Sequence, residues 1–572
     1  MFLSHLIINN YKSFPSKDTL IYFNTPKSVI IGMNNSGKSN ILSVIEFLLG
    51  NKDPRYVGIS KDIYYDIAKP LRISAFLSFQ EDKEIYSLGL TKQSSAILYK
   101  EFKSGKPAFI EIQYSDTMIE QAMMINEEGV EESEAEATEK KESKFKILVQ
   151  GKYQVYIKIK EIRANLCKVI GVDSLRNPKD DLSGSRWTVF GQLMKSVLED
   201  SKRYDELKTA LNNLNSLVEE VLAGEKEEIL KNAKIISFIN DIKFQLTKDN
   251  QPSELLRNLE LFVKDKDKFI HIDETGTGTQ SALIIGILEV ALKYKSSSAR
   301  IFLIDEPELF LHPLGIRYLG HLFREFIKED KLSQIIITSH SPTLLSSFHP
   351  REIIRLDKPT GFTEANQLPY DFIDINNKLA RQLANGQSAE MFFADKVLIV
   401  EGETEFIIFP KLSSLIPENH FYKNNIAVVN AQGKDTILSI IKTLELLKIK
   451  WKSIVDDDFL DRKSTISPIC KHLGLNHEDD KEKLRAEFLA KGIWVLKEGE
   501  TENLIPDADL ARLTGKTIDE VKVLKAIRPK LSETFEKELF GNTKPEIAFD
   551  IVSYYWKIKS SPFDYLIKWV IE

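Results

Sequence analysis

Short apolar runs alternate with polar stretches in the first part of the chain. The runs LIINNYKSF, SVIIG and LRISAFLSF have the length and branched side chains of strands. NILSVIEFLLG, by contrast, places its apolar residues at helical spacing and ends in glycine, which predicts a helix. Strand-like runs return in ARIFLIDEPE and SQIIITSHSP. The pattern predicts an α/β domain in two parts, residues 1–186 and 265–393.

Two segments interrupt this pattern. Residues 187–264 are rich in leucine and charge at helical spacing, which predicts a helical arm. Such an arm could pack against a partner subunit or cap its own domain, and the sequence leaves both open. Within residues 126–144 lie eight glutamates and no aromatic residue, which predicts a flexible surface insertion.

A second α/β domain is predicted over residues 394–572. Short apolar runs there end in polar residues, and helical stretches such as KDTILSIIKTLELLKI lie between them. The runs are KVLIVEGETE, NIAVVNAQG, WKSIVDDDFLD and GIWVLKEGETENLIP. This order is typical of a parallel sheet that carries functional groups at the carboxyl ends of its strands.

The composition limits the classes of protein to which this chain could belong, but it does not indicate a reaction. A length of 572 residues allows three or four domains, and a net charge of −6 means that any nucleic-acid surface must be local. No apolar run reaches the roughly 18 to 20 residues that span a bilayer, so we expect a cytoplasmic protein without a membrane contact. Cys167 and Cys470 alone predict neither a disulfide framework nor a cysteine zinc site.

The stretch IIGMNNSGKSN contains a complete G-x-x-x-x-G-K-[ST] loop between a predicted strand and a predicted helix. Its glycines let backbone N–H groups surround phosphates, Lys38 supplies a cation, and the Ser39 hydroxyl is a magnesium ligand. The predicted nucleotide-binding residues are Gly32, Asn34, Asn35, Ser36, Gly37, Lys38, Ser39 and Asn40.

IFLIDEPE delivers two acids to a strand end. Asp305 can reach the magnesium shell and Glu306 can position or deprotonate water, so the two motifs together predict ATP hydrolysis. The order of motifs resembles the ABC ATPases of the SMC and RecF type. That resemblance implies a dimer in which a signature loop from one subunit completes the site of the other. It places Gly276, Gly278 and Gln280 in the signature loop and His340 as the histidine that senses the γ-phosphate.

A second set of acids lies in the C-terminal domain. Glu401 follows the apolar run KVLIV and Glu405 lies one helical turn further on, so the two can converge. Asp456 and Asp458 follow the run SIV, and strand alternation would put them on one face with Asp457 pointing away. A register shift of one residue would bring Asp457 into the site instead. Clustered carboxylates need cations, and oxygen-only sites suit Mg²⁺ or Mn²⁺.

An acid before glycine at a strand end, followed by a D-x-D strand end, resembles the Toprim domain. An N-terminal ABC-type ATPase joined to such a domain resembles the OLD (overcoming lysogenization defect) nucleases, including the Gabija-type antiphage nucleases. The expected fold is therefore α/β: a RecF/SMC-like P-loop ATPase with an inserted helical arm, followed by a Toprim parallel-sheet domain. The resemblance adds Asp461 and Glu502 as metal ligands and Lys544 as a residue that stabilises charge on the scissile phosphate.

The resemblance implies a metal-dependent DNA endonuclease regulated by ATP, acting through two ions about 4 Å apart. It also implies antiphage defence, self-association, and a partner that is either a helicase or a retron reverse transcriptase with its noncoding DNA. Two alternatives stay open at this point. One is a RecF-like ATP-dependent DNA clamp without cleavage, and the other is a topoisomerase-like strand-passage enzyme.

Overall fold

The structure is a computed structural model of the 572-residue chain. Apart from gaps of one to five residues, it describes residues 2–50, 61–79, 92–115, 145–154, 167–172, 188–224, 260–372, 387–527 and 544–572, with Ile85 and Leu256 in isolation. The chain forms two compact units. The first comprises Met1–Lys27 and Ser39–Ser339, and the second comprises Ser28–Lys38 and His340–Glu572. The acidic stretch 126–144 lies outside the described residues.

Every apolar run predicted as a strand overlaps a strand of the structure, and the described residues form further strands outside those runs. The strands are β1 (Phe2–Asn9), β2 (Thr19–Tyr22), β3 (Lys27–Gly32), β4 (Arg72–Ser78), β5 (Phe109–Ser115), β6 (Phe145–Val149), β7 (Tyr153–Gln154), β8 (Cys167–Val172), β9 (Phe262–Asp265), β10 (Lys268–His271), β11 (Ala299–Asp305), β12 (Ser333–Thr338), β13 (Ile353–Asp357), β14 (Glu364–Gln367), β15 (Lys396–Val400), β16 (Ile426–Asn430), β17 (Lys450–Val455) and β18 (Ile493–Val495).

The helices lie between these strands and after them. They are α1 (Lys38–Leu49), α2 (Lys92–Lys103), α3 (Val189–Glu199), α4 (Tyr204–Val221), α5 (Thr277–Lys293), α6 (Pro313–Glu329), α7 (Pro342–Leu345), α8 (Glu403–Ser413), α9 (Lys434–Leu446), α10 (Lys463–Leu473), α11 (Lys481–Ala490), α12 (Asp507–Thr514), α13 (Ile518–Ile527), α14 (Lys544–Ile558) and α15 (Asp564–Ile571). None of the helices formed by the described residues is long and apolar enough to cross a bilayer.

The first unit contains an antiparallel sheet and a set of parallel strands. The antiparallel sheet has the order β2-β1-β4-β5-β6-β7, and Leu6 and Ile8 of β1 are fully buried. Strand β11 pairs in parallel with both β8 and β12, which aligns Asp305 with Thr338 at the carboxyl ends. Asp305, a predicted residue of the ATPase site, is thereby placed beside Thr338, which the sequence analysis did not single out.

The predicted helical region at 187–264 is helical in its first part. It contains α3 and α4, whereas Phe262 begins strand β9, which pairs antiparallel with β10 in a two-stranded ribbon. The sequence predicts helical structure up to residue 264. The last residues of that region instead satisfy their backbone groups by pairing with β10, which local periodicity does not reveal. The domain boundaries themselves stay predictions.

The second unit combines the P-loop strand with the C-terminal parallel sheet. Strand β3 pairs in parallel with β13, which pairs antiparallel with β14. A separate four-stranded parallel sheet has the order β16-β15-β17-β18. Helices α8 and α14 pack against each other, and their buried residues Phe409 and Ile551 belong to one apolar core. The expected α/β fold is confirmed in both units.

Arg355 of β13 links these two groups of strands inside the second unit. Its side chain is 4 % exposed and donates to the backbone carbonyls of Phe392, Ala394 and Leu447 at 3.2 to 3.3 Å. It also forms an ion pair with Asp357 at 3.0 Å. Because a buried guanidinium is costly unless its donors are satisfied, this set of contacts fixes β13 against the start of β15 and the end of α9.

Candidate active site

The P-loop joins β3 to α1 as predicted. Gly32 and Gly37 have φ of +152° and +104°, and a Cβ on Gly32 would lie 2.4 Å from the Leu356 carbonyl oxygen. Only glycine fits at that position. The Lys38 side chain is buried, and its ammonium donates to the carbonyls of Gly32 and Met33, at 3.2 Å each. The loop therefore carries its cation directly against the backbone that would surround phosphates.

The remaining P-loop residues are arranged around the same turn. Asn34 and Asn35 are exposed, and Asn35 has a φ of +64°. The Ser36 carbonyl accepts a hydrogen bond of 2.7 Å from Thr363. The Asn40 amide donates to Ser13 at 2.8 Å, so its side chain supports the helix start rather than facing the loop.

Ser39 and Asp305 meet in the first unit. The Ser39 hydroxyl lies 3.2 and 3.3 Å from the two Asp305 carboxylate oxygens, and Thr338 also donates to that carboxylate. Glu306 follows with a φ of +47°, and its N–H donates to the Thr338 hydroxyl at 3.0 Å. A non-glycine residue in this conformation is strained and is typical of functional positions. Serine and aspartate oxygens are suited to a magnesium ion here.

The predicted signature loop and switch histidine are placed separately. Gly276 precedes α5, Gly278 lies in its first turn, and the buried Gln280 amide donates to the carbonyls of Ile272 and Thr275 at 2.9 and 3.1 Å. Gln280 thus supports its own turn. In the second unit, His340 lines a cavity of about 530 Å³ together with Met33 of the P-loop and Ile407 of α8. Their roles toward a nucleotide stay predictions.

Two neighbouring strands bring the C-terminal acids together. Glu401 follows β15 and Asp456 follows β17, and these strands pair in parallel with Val400 opposite Ile454. Carboxyl ends of adjacent parallel strands meet at one edge of a sheet, where ligands bind. One carboxylate oxygen from each of Glu401, Asp456 and Asp458 lies within 4.8 Å of the others.

Asp456 and Asp458 converge for a different reason than strand alternation. Strand β17 ends at Val455, and Asp456 caps a 3₁₀ helix that spans Asp457–Asp461. The tight turn directs Asp456 and Asp458 to the cluster, while Asp457 forms an ion pair with Arg485 of α11. The pairing of Asp456 with Asp458 is therefore as predicted, but the strand geometry predicted for it is wrong.

One largely buried lysine, Lys434, opposes the negative charge of this cluster. Burial raises the pKa of Glu401, the Asp458 carboxylate raises it further, and Lys434 opposes both. The Glu401 Oε2 atom is buried and has no hydrogen-bond partner among the described residues. A buried oxygen without a partner beside two more carboxylates fits a hard divalent cation.

Lys434 is a residue that the sequence reasoning missed. Its ammonium lies 2.5 Å from Asp458 Oδ2 and 3.7 Å from Glu401 Oε1, and its side chain is 9 % exposed. It begins α9 directly after Gly433, near the end of β16. Its position at another strand end, in the stretch NAQGKD, was the available signal.

The other predicted ligands lie outside the three-acid cluster. Glu405 is buried in the first turn of α8, and Glu502 is 2 % exposed in a 3₁₀ turn, Thr501–Leu504. Asp461 is exposed and bound to Lys481 at 2.5 Å. Lys544 begins α14, which packs on α8, while its side chain lies outside what the structure describes.

Two family models match this chain in the predicted order. An AAA ATPase domain matches residues 1–345, and the TOPRIM domain of overcoming lysogenization defect protein-like proteins matches residues 392–458. The chain belongs to this AAA ATPase domain family and carries an OLD-like TOPRIM domain. The second match ends at Asp458, so it contains all three acids of the cluster.

Two of three nuclease relatives match this chain over most of its length, and the third matches about half of it. The Old nuclease of Escherichia phage P2 is 23% identical over 504 residues, which are 82% of this chain and 80% of the relative. Endonuclease GajA of Bacillus cereus (strain VD045) is 23% identical, and the match covers 83% of this chain and 78% of the GajA chain. The OLD nuclease of Thermus scotoductus is 26% identical over 51% of this chain and 57% of its own.

Solved SMC heads are also similar to this chain. An Smc head bound to a ScpA domain derived from Pyrococcus furiosus is 16% identical, covering 67% of this chain and 99% of its own, with a TM-score of 0.38. The SMC head of Thermotoga maritima is 14% identical, and the match covers 64% of this chain and 100% of the SMC head, with a TM-score of 0.31. Since these scores are low, the ATPase and TOPRIM assignments rest on the family models and the strand order. Those two domains imply that the chain uses a nucleotide and a divalent metal.

Proposed function

We propose that this chain is an ATP-regulated, metal-dependent DNA endonuclease of the OLD type that cuts at the Glu401, Asp456 and Asp458 cluster. The observation that carries the proposal is the convergence of these three carboxylates at one sheet edge, with Glu401 Oε2 buried and unpartnered among the described residues. A surface that only binds DNA has no need to concentrate negative charge in this way. The names of the relatives, Old nuclease and endonuclease GajA, support the same activity.

The residues of the cluster have distinct tasks in this proposal. Divalent cations would activate a water and stabilise the leaving oxygen of the phosphodiester. Glu401 and Asp456 present their oxygens from fixed strand ends, and Asp458 does so from the tight turn that follows. The Arg485 pair with Asp457 holds that turn in place. We propose Mg²⁺ as the working ion, with Mn²⁺ able to replace it.

The outer residues complete the same proposal. Glu405 and Glu502 are buried acids, and we assign them as additional ligands. Lys544 is assigned to the scissile phosphate, where its charge would stabilise the transition state. Asp461 would have to release Lys481, its partner at 2.5 Å, before it could bind a metal ion.

In this proposal, ATP is bound and hydrolysed at the P-loop. Lys38 would hold the phosphates, Ser39 and Asp305 a magnesium ion, and Glu306 the attacking water. We propose that two chains associate so that Gly276, Gly278 and Gln280 of one reach the nucleotide of the other, with His340 sensing the γ-phosphate. A role in antiphage defence, beside a helicase or a retron reverse transcriptase with its noncoding DNA, fits the family resemblance.

Supercoiled plasmid is the direct assay. The full chain is incubated with Mg²⁺, Mn²⁺ or Ca²⁺, with and without ATP, and nicked and linear products are measured. Glu401→Ala should abolish cleavage and leave ATP turnover largely intact, whereas Lys38→Ala should abolish ATP turnover. Glu403→Ala is the matched control, because Glu403 is exposed two residues from Glu401.

Other outcomes would identify a different activity. ATP-dependent DNA binding without cleavage in any of the three metals would indicate a DNA clamp. A covalent adduct between protein and DNA would indicate strand passage. Loss of ATP turnover alone in Glu401→Ala would contradict the assignment of that acid to the cleavage site.

A further inference from the structure

Lys434 places a positive charge inside the acid cluster. Its ammonium is 2.5 Å from Asp458 and 3.7 Å from Glu401, while its side chain is 9 % exposed. Surface lysines are usually solvated, and a buried ammonium is stable only when it is paired. Lys434 is therefore a buried cation that is paired with two of the three carboxylates of the cluster.

The backbone fixes Lys434 against the strand that carries Glu401. The Ala431 N–H donates to the Val400 carbonyl at 2.8 Å, and the Gly433 N–H donates to the Glu401 carbonyl at 3.3 Å. Gly433 has a φ of +116°, a conformation that favours glycine. The start of α9 is thus held beside Glu401 by main-chain hydrogen bonds, which place the backbone of Lys434 next to the cluster.

Lysine and a divalent cation need the same carboxylate oxygens. An ammonium has three donors and no acceptor, so it cannot be a metal ligand itself. Three carboxylates and one ammonium leave two net negative charges, which one divalent ion neutralises. The flexible four-carbon stem of lysine allows the ammonium to leave Asp458 when an ion binds there.

We propose that Lys434 is a resident counter-ion of the metal site. It holds Glu401 and Asp458 together when no divalent ion is bound, competes with the ion for Asp458, and so sets the affinity of the cluster for metal. The inference rests on the proposed use of this cluster as a metal site. It adds a residue that tunes metal binding on a strand end that supplies none of the three acids.

Metal affinity measured without DNA or ATP tests this directly. Free Mn²⁺ is followed by electron paramagnetic resonance in titrations of the full chain as wild type, Lys434→Met and Lys442→Met. Lys442 is the matched control because it lies further along α9 and is half-buried. The same titrations in an Asp456→Asn background give the contribution of the ATPase site, which is subtracted.

Removal of the competing charge should tighten binding. We expect Lys434→Met to bind Mn²⁺ about tenfold more tightly than wild type, since one nearby positive charge is lost. The melting temperature of that variant should fall without divalent ions and recover when Mn²⁺ is added. Lys442→Met should match wild type in both measurements. Lys434→Gln, which also removes the charge, serves if the methionine variant does not fold.

Equal or weaker Mn²⁺ binding by the uncharged variants would overturn the counter-ion role. Tighter binding by Lys434→Arg as well would point to a steric effect rather than charge, and would overturn it too. The result is independent of nuclease activity. If the wild-type chain cuts plasmid but Lys434→Met binds Mn²⁺ with unchanged affinity, only the counter-ion role is refuted. If Lys434→Met binds Mn²⁺ with a changed affinity but the wild-type chain does not cut plasmid, only the proposed endonuclease activity is refuted.

Discussion

Asp457 is ion-paired with Arg485, and this contact separates it from the acids on either side. Arg485 belongs to α11, its side chain is 12 % exposed, and it also binds Glu482 at 2.5 Å. The Asp457 N–H donates in turn to the Gly499 carbonyl at 3.0 Å. The middle acid of the triplet therefore anchors the turn that presents Asp456 and Asp458.

Asparagine substitutions should divide the triplet by role. Asp457→Asn should lower stability by about 1 to 3 kcal/mol, because a charge-assisted pair between the largely buried Arg485 and the partly exposed Asp457 is weakened, and should retain cleavage. Asp456→Asn should lose more than about 100-fold in cleavage, since loss of a ligand exceeds the usual effect of outer-shell changes. Plasmid nicking rates and thermal melts of both variants measure this. Greater loss of cleavage in Asp457→Asn than in Asp456→Asn would reverse the assignment.

Gly32→Ala should disrupt the P-loop. A Cβ there would lie 2.4 Å from the Leu356 carbonyl oxygen and 2.6 Å from Ser36 Oγ, so the loop must shift. We expect ATP affinity to fall by on the order of tenfold or more, since misplaced N–H groups lose phosphate contacts. Fluorescent ATP-analogue binding measures the change. Gly286→Ala in α5 is the control, because a Cβ there meets nothing within 4 Å; equal affinities in the two variants would contradict the steric argument.

Arg355→Met should destabilise the second unit strongly. Three backbone carbonyls would lose a charged donor in a buried position, which costs on the order of 3 kcal/mol or more. Lys448→Met removes the partly exposed pair with Glu364 at 2.8 Å and should cost less than about 1 kcal/mol. Differential scanning calorimetry compares the two variants. Similar losses in both would mean that the Arg355 contacts contribute little.

His5 should make the first unit sensitive to acid. Burial lowers the pKa of His5 to about 4, and its ring stacks on Phe76 at 4.0 Å. Because the unfolded chain binds that proton near pH 6.5, stability should fall as the pH drops from about 6.5 to about 4 and change no further from this group below that range. His5→Gln should show a smaller loss of melting temperature between pH 7 and pH 5 than wild type. Parallel losses in the two proteins would exclude His5 as a source.

Motifs with local geometry were the part of the site that the sequence could predict. The P-loop between β3 and α1, and Glu401 between β15 and α8, follow from an apolar strand and a helix start that adjoin each other in the chain. Asp305 could be predicted as well, because four consecutive apolar residues precede it in its strand. Each of these depends on a few consecutive residues.

Contacts across long stretches of sequence were beyond reach. Lys434 reads as one more lysine at a helix start until the sheet brings it beside Asp458. The partner of Asp457 is Arg485, on a helix whose orientation no periodicity reveals. The change from strand to 3₁₀ turn after Val455 also depends on tertiary packing, which overrides alternation.

The Arg355 linkage has a consequence for exchanging modules between members of the family. A nuclease fragment cut at the predicted boundary before residue 394 would keep the Ala394 and Leu447 carbonyls but discard the guanidinium that satisfies them. The segment from His340 onward carries Arg355, yet its β13 would then lack β3, its parallel neighbour from the start of the chain. The nuclease part therefore cannot be exchanged as a self-contained segment. A functional chimera would need to take β3 and β13 together from one parent.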